Sequence, residues 1–156
     1  MPNLTGNPQA FHSNTSQEVA SQQIPLGSRA FEANGNEWVY LQGTTSVIAG
    51  SWVVIVRSNH TKLAVADDQG PLAIAGTAVS VGEFGWFQVY GRNTQAAVEN
   101  AVVADSPLYL TANAGFVDDA DVAGDAISHA VSTVAASGSA VTVRISYPFV
   151  HDIALD

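Results

Sequence analysis

Cysteine is absent from the 156 residues. That excludes disulfide scaffolds, thiolate metal sites and thiol nucleophiles. Charge is scarce as well, at 12% of residues against a usual value of about 25%. Basic charge is scarcest. Five Lys and Arg stand against 14 Asp and Glu, a net charge of -9, and the five (Arg29, Arg57, Lys62, Arg92 and Arg144) are scattered along the chain. The sequence therefore shows no basic face to displace counterions from phosphates, and direct nucleic-acid binding is not expected. An anionic membrane surface would repel the chain for the same reason. Long apolar runs are also missing, since Trp52-Val53-Val54-Ile55-Val56 is far short of the ~20 residues of a membrane span. The opening Met1-Pro2-Asn3-Leu4-Thr5-Gly6 has neither the basic nor the apolar stretch of a signal peptide, so the chain reads as soluble and made in the cytoplasm.

What the chain does have is apolar content, 47% of residues and rich in Ala and Val. A single domain of this length can bury roughly 68–70% of its unfolded surface without staples. The first 28 residues differ from the rest: they are rich in Gln and Asn, and Pro25 would end any helical turn begun at Gln17 to Gln23. They read as an extended or partly disordered arm, with Leu4, Phe11 and Ile24 as anchors on a neighbouring subunit.

From residue 29 to 156 the punctuation is that of an all-β domain, with short apolar runs bounded by Gly, Pro, Asn or Asp. Strands are expected at residues 29–33 and 37–42, joined through Asn34-Gly35-Asn36 by a type I′ turn. The β-branched run at 51–58 predicts a strand buried on both faces. Further strands are expected at 75–81, with Val79 and Val81 on one face, and at 85–92. Residues 106–112 and 115–117 form a tight hairpin around Asn113 in this reading. Residues 128–134 and 140–146 pair through Ser137-Gly138, with Val141, Val143 and Ile145 sharing a face. Residues 94–103 are the one helix candidate in the domain, although their apolar spacing fits a helical face poorly. Pro71, Pro107 and Pro148 fall at run boundaries, where they remove no ladder hydrogen bond. Repeated short strands of this kind make a small β-barrel or β-sandwich.

Chemistry is sparse. No Gly-x-Ser-x-Gly elbow surrounds a serine, and His12, His60, His129 and His151 have no partner suggested by spacing. His129 lies in an alternating strand and reads as a surface or interface residue. Asp118, Asp119, Asp121 and Asp125 cluster around Gly124. Laid on a calcium loop, however, the twelfth position is Ala130, so the bidentate Glu is missing. A solvated acidic loop is the simpler reading, and a calcium- or glycan-binding module the alternative. No enzymatic activity, cofactor or metal is expected. Aromatics are more informative: alternation puts Trp86 and Tyr90 on the face opposite Phe87, and both faces cannot point into one small barrel. A protein neighbour is the usual cover for such residues, and Tyr147 and Phe149 close the domain beside them.

Three stretches resemble the auxiliary capsid proteins (decoration or cement proteins) of tailed bacteriophages. They are Leu26-Gly27-Ser28-Arg29 through Glu37-Trp38-Val39-Tyr40 with Ala49-Gly50; Gly82-Glu83-Phe84-Gly85-Trp86-Phe87-Gln88-Val89-Tyr90-Gly91 leading to Leu108-Tyr109-Leu110-Thr111; and Val141-Thr142-Val143-Arg144-Ile145 with Tyr147-Pro148-Phe149-Val150. The resemblance implies a small β-domain on the outer capsid surface of a virion. Its partner would be the major capsid protein, whose subunit junctions it would brace, often as a homo-trimer, and it carries over no catalytic residue. A head-fibre base or tail component is the alternative within the virion. Leu4, Phe11, Ile24, Trp86, Tyr90, Tyr147 and Phe149 are the expected interface residues, and an acidic surface beside packaged DNA avoids it by like-charge repulsion.

Overall fold

A computed structural model describes residues 22–122 and 125–151. Most of the expected arm, including Leu4, Phe11 and His12, lies outside the described residues. The rest is all β, as expected. Ten strands run in chain order: β1 (Arg29–Phe31), β2 (Glu37–Gly43), β3 (Trp52–Val56), β4 (His60–Leu63), β5 (Gly70–Ala75), β6 (Phe84–Ala97), β7 (Pro107–Leu110), β8 (Val117–Asp118), β9 (Ala126–Ser132) and β10 (Ala140–Val150).

Their pairing explains why the chain is so rich in thin apolar side chains. β2 pairs with β4, β4 with β3, β3 with β5, β5 with β6, and β6 returns to β2. These five strands close a ring around Leu41, Val53, Ala73, Phe87 and Val89. β10, β9, β7 and β8 continue the sheet from β6, and β10 also bridges to β5. They cover the outside of β3 and β5, enclosing a larger core with Trp52, Leu72, Ile74, Leu108, Val143 and Ile145.

β3 and β5 thus form a wall shared by two cores. Successive side chains of a strand point to opposite faces, so Trp52 and Val54 enter one core while Val53 enters the other. The expectation of a strand buried on both faces at residues 51–58 holds for Trp52 to Val54, and the strand itself ends at Val56; the same logic applies to Leu72-Ala73-Ile74-Ala75 in β5. A third cluster lies outside β2 and β6, where Ala30, Trp38, Tyr40, Phe84 and Trp86 pack under Ile24 and Leu26.

Several local expectations change. The β1–β2 turn is not type I′, because Gly35 (φ 92°) has a positive φ and Asn34 does not. Glu32 N donates to Asn36 O at 2.9 Å and Gly35 N to Glu32 O at 3.0 Å, the three-residue loop whose last position takes the left-handed conformation. Residues 94–103 are not helical: β6 runs to Ala97, and Val98 and Val102 make isolated bridges to Val117 and Ala136. The expected strand at 75–81 is displaced to Gly70–Ala75, with Val79 buried and Val81 65% exposed.

The later hairpins stand closer to expectation. β7 and β8 pair across Leu110 and Val117, and β9 pairs with β10 while Val141, Val143 and Ile145 are all buried in the larger core. β10, however, continues to Val150, so Pro148 lies inside a strand and not at a boundary. It is accommodated because the register with β9 shifts between Ile145 and Phe149, where no ladder donor is required of it.

Phe87 sits fully buried at the centre of the ring. Replacing it by Ala removes that packing and should cost about 3–5 kcal/mol, read as a lower midpoint in urea unfolding. A loss below 1 kcal/mol would mean that the ring is not a packed core.

Candidate interaction surface

β6 is 14 residues long because it serves both layers. Phe84 to Tyr90 pair with β2, and Tyr90 to Ala97 pair with β10, so Tyr90 has a partner on each side. The pairing with β2 ends at Tyr90, and the next residue, Gly91, has a φ of 103°, a conformation that favours glycine. A side chain there would also collide with Asn36, whose Oδ1 would stand 2.0 Å from the added carbon. That same oxygen accepts from Arg92 N at 3.0 Å.

A buried amide braces the bend through its backbone carbonyls. Gln88, 1% exposed, donates through Nε2 to Tyr90 O at 3.0 Å and Arg92 O at 3.2 Å, while its Oε1 accepts from Asn93 Nδ2 at 2.8 Å.

Facing this bend, β10 bulges. Four residue steps on β10, from Ile145 to Phe149, span two on β9, from Ala130 to Ser128. Tyr147 (φ 52°) and His129 (φ 62°) take left-handed backbone at this point. Such a conformation is costly for a bulky residue and persists only where surrounding contacts impose it.

For Tyr147 those contacts are evident. Its hydroxyl donates to Glu37 Oε2, and Arg29 pairs with Glu37 Oε1. The Arg29 guanidinium also lies 5.7 Å above the Tyr147 ring, within cation–π range. Glu37 is only 5% exposed, so the arginine and the phenol together compensate a carboxylate that would be expensive to bury alone. The hydrogen bond to Glu37 is the main reason that the Tyr147 pKa lies above its ordinary value, with desolvation and the Glu37 charge adding in the same direction.

Tyr147 also meets Tyr90, ring centroids 5.5 Å apart and planes at 42°. Beyond Tyr90 opens a groove of about 420 Å³, lined among others by Arg92, His129, Val131, Arg144 and Ile145. Arg92 and Arg144 are direct partners across β6 and β10. The arginines that look scattered in the sequence are therefore not scattered in space: Arg29, Arg92 and Arg144, three of the five basic residues, join Tyr90 and Tyr147 on one surface.

The expected interface residues divide accordingly. Tyr90 and Tyr147, 42% and 49% exposed, come together at the bend. Phe149 is 39% exposed and stands edge-on to His151 at 6.0 Å. Trp86 is a correction: it is 3% exposed, beside Tyr40 at 5.3 Å, and its cover is this chain's own Ile24 and Leu26. Ile24 accordingly packs on its own domain. His129 is exposed, as its strand position suggested.

The acidic segment is not simply solvated. Asp125 is 2% exposed and accepts from Asp67 N at 2.7 Å, while Asp119 Oδ2 accepts from Val103 N at 2.9 Å and Asp118 Oδ1 from Ala120 N at 3.0 Å. Desolvation, and then the Asp121 carboxylate beside it, raise the Tyr109 pKa. Among the described residues no group of three His, Asp or Glu is arranged to hold a metal ion.

No protein-family model matches this chain, and none of the curated proteins matches it in sequence.

The Glu37–Tyr147 bond has a titration signature. A phenol whose pKa is raised by folding stabilises the fold below its unfolded pKa of about 10 and loses that contribution as pH rises through the folded value. In an ultraviolet titration at 295 nm, Glu37→Gln should move one tyrosine to lower pH and leave the others in place. An unchanged titration curve would show that the bond does not form in solution.

Proposed function

We propose that this chain is a non-enzymatic structural protein of a tailed-phage virion that docks on the outside of the capsid and stabilises contacts between major capsid subunits. The observation that carries the reading is the exposed Tyr90–Tyr147 pair, set among arginines on a rigid β framework. Tyr and Arg are enriched where proteins bind each other, and Lys and Glu are depleted there. Interface aromatics give most when their positions are fixed before binding. Here Tyr147 is tied to Glu37 and packed against Tyr90, so little ordering remains to be done. The resemblance of residues 26–150 to capsid decoration proteins supplies the class of partner, and homo-trimerisation is the assembly that goes with it. An acidic domain with few other basic residues suits a position beside DNA that it does not bind.

The test is a pelleting assay with expanded empty heads. The reading predicts saturable binding, weakened about 30-fold or more in the Tyr90→Ser/Tyr147→Ser double variant, as expected for a pair at the centre of an interface. Heads that take up no saturable amount, or a double variant that binds like the parent, would overturn it. Labelled protein seen on tails and not on heads would transfer the role to the tail component.

A further inference from the structure

We propose that the Arg92–Arg144 groove is an oxyanion-recognition site, and that its occupant is a carboxylate-bearing segment of a partner protein. Like charges directly opposite each other on neighbouring strands are destabilising. Arg92 and Arg144 are so placed, and among the described residues neither forms an ion pair. The only described ion pairs bind Arg29 to Glu37 and Lys62 to Asp68, so acidic side chains are available to this chain but not supplied here. Two of the five basic residues of a -9 chain thus stand side by side in the lining of an open groove, where a fitting anion would neutralise them. Guanidinium groups are well suited to that task, since their donor forks match carboxylate oxygens in pairs.

The backbone around the groove is built at a cost. His129, which lines it, and Tyr147, which borders it through Tyr90, both have positive φ, and strain of this kind gathers at binding sites.

The choice of a protein carboxylate follows from charge and shape. Two guanidiniums against a surplus of nine negative charges cannot hold a polyphosphate chain, whose binding needs many neutralised phosphates. A single acidic side chain is different. At physiological salt, exposed charges farther than about 8 Å are largely screened, so the local positive sign governs contact. Val131, half-buried and paired with Arg144 across β9 and β10, lines the groove beside the arginines and suits the apolar stem of an acidic residue, not a bare ion. Tyr90 at the mouth joins the groove to the aromatic pair. The inference rests on the reading that this face docks on a protein, and it names the chemistry that the partner presents.

The experiment is an NMR titration of the full chain with an amidated peptide of alternating Leu and Glu, with its Gln counterpart, and with inorganic phosphate. The expected result is saturable shifts at residues 90–92, 129–131 and 144–146 with the Glu peptide, and none with the Gln peptide. Arg144→Glu should weaken Glu-peptide binding at least tenfold, while Arg57→Glu leaves it unchanged. Arg144→Glu should also raise the Tm by a few degrees, because it converts a like-charge pair into an opposite-charge pair; a residue kept for stability would do the reverse. Equal binding of the Gln peptide, a lowered Tm, or phosphate binding at the same residues as strongly as the Glu peptide would each overturn the proposal, the last in favour of a small free anion. The docking reading is tested separately. Heads that bind Arg144→Glu as well as the parent would sink the groove while leaving docking intact. Peptide binding without head binding would sink docking alone.

Discussion

Everything distinctive in this molecule depends on the point at which β6 changes partners. Up to Tyr90 the strand closes a five-stranded ring, and from Tyr90 onward the same strand opens the second layer with β10. A continuous strand cannot do both without a bend, and a bend frees backbone carbonyls that must be satisfied if they are buried. Glycine permits the bend, Asn36 caps the amide that follows, and the buried Gln88 donates to the carbonyls of Tyr90 and Arg92. The proposed docking surface is the outer side of this joint.

Next to the bend on β6, β10 shifts its register against β9. The bulge between Ile145 and Phe149 turns Tyr147 out against Tyr90 and lets Pro148 occupy a strand. Glu37, at the start of β2, fastens the bulge from the other side through Tyr147 and Arg29. Three strands far apart in sequence thereby deliver aromatic and arginine side chains to one place. A rigid mounting for exposed aromatics favours binding over chemistry, because binding gains from groups that are already fixed.

The sequence made the layers legible and left the surface hidden. The run from Trp52 to Val56 revealed a strand with two buried faces, since no alternation interrupts it, and the alternation of Val141, Val143 and Ile145 marked a strand with one. β4 escaped notice because His60-Thr61-Lys62-Leu63 reads as polar, and β5 because Gly70-Pro71 reads as a break; both are strands because the ring needs them as neighbours. Tyr90 and Tyr147 stood out as outward aromatics. Trp86 looked the same by alternation, but Ile24 and Leu26 fold back over it, and that contact has no local signal. Nor does the meeting of Arg92 with Arg144. It is set by the register of two strands, which a charge count along the chain does not contain.

The central claim is that the joint between the two layers is the docking face. Hydrogen–deuterium exchange of the chain free and bound to expanded heads tests it most directly. The account predicts that protection gained on binding centres on residues 90–92, 128–131 and 144–147. Protection centred instead on β4 and the 57–59 turn, with residues 90–92 and 144–147 exchanging as in the free chain, would contradict it.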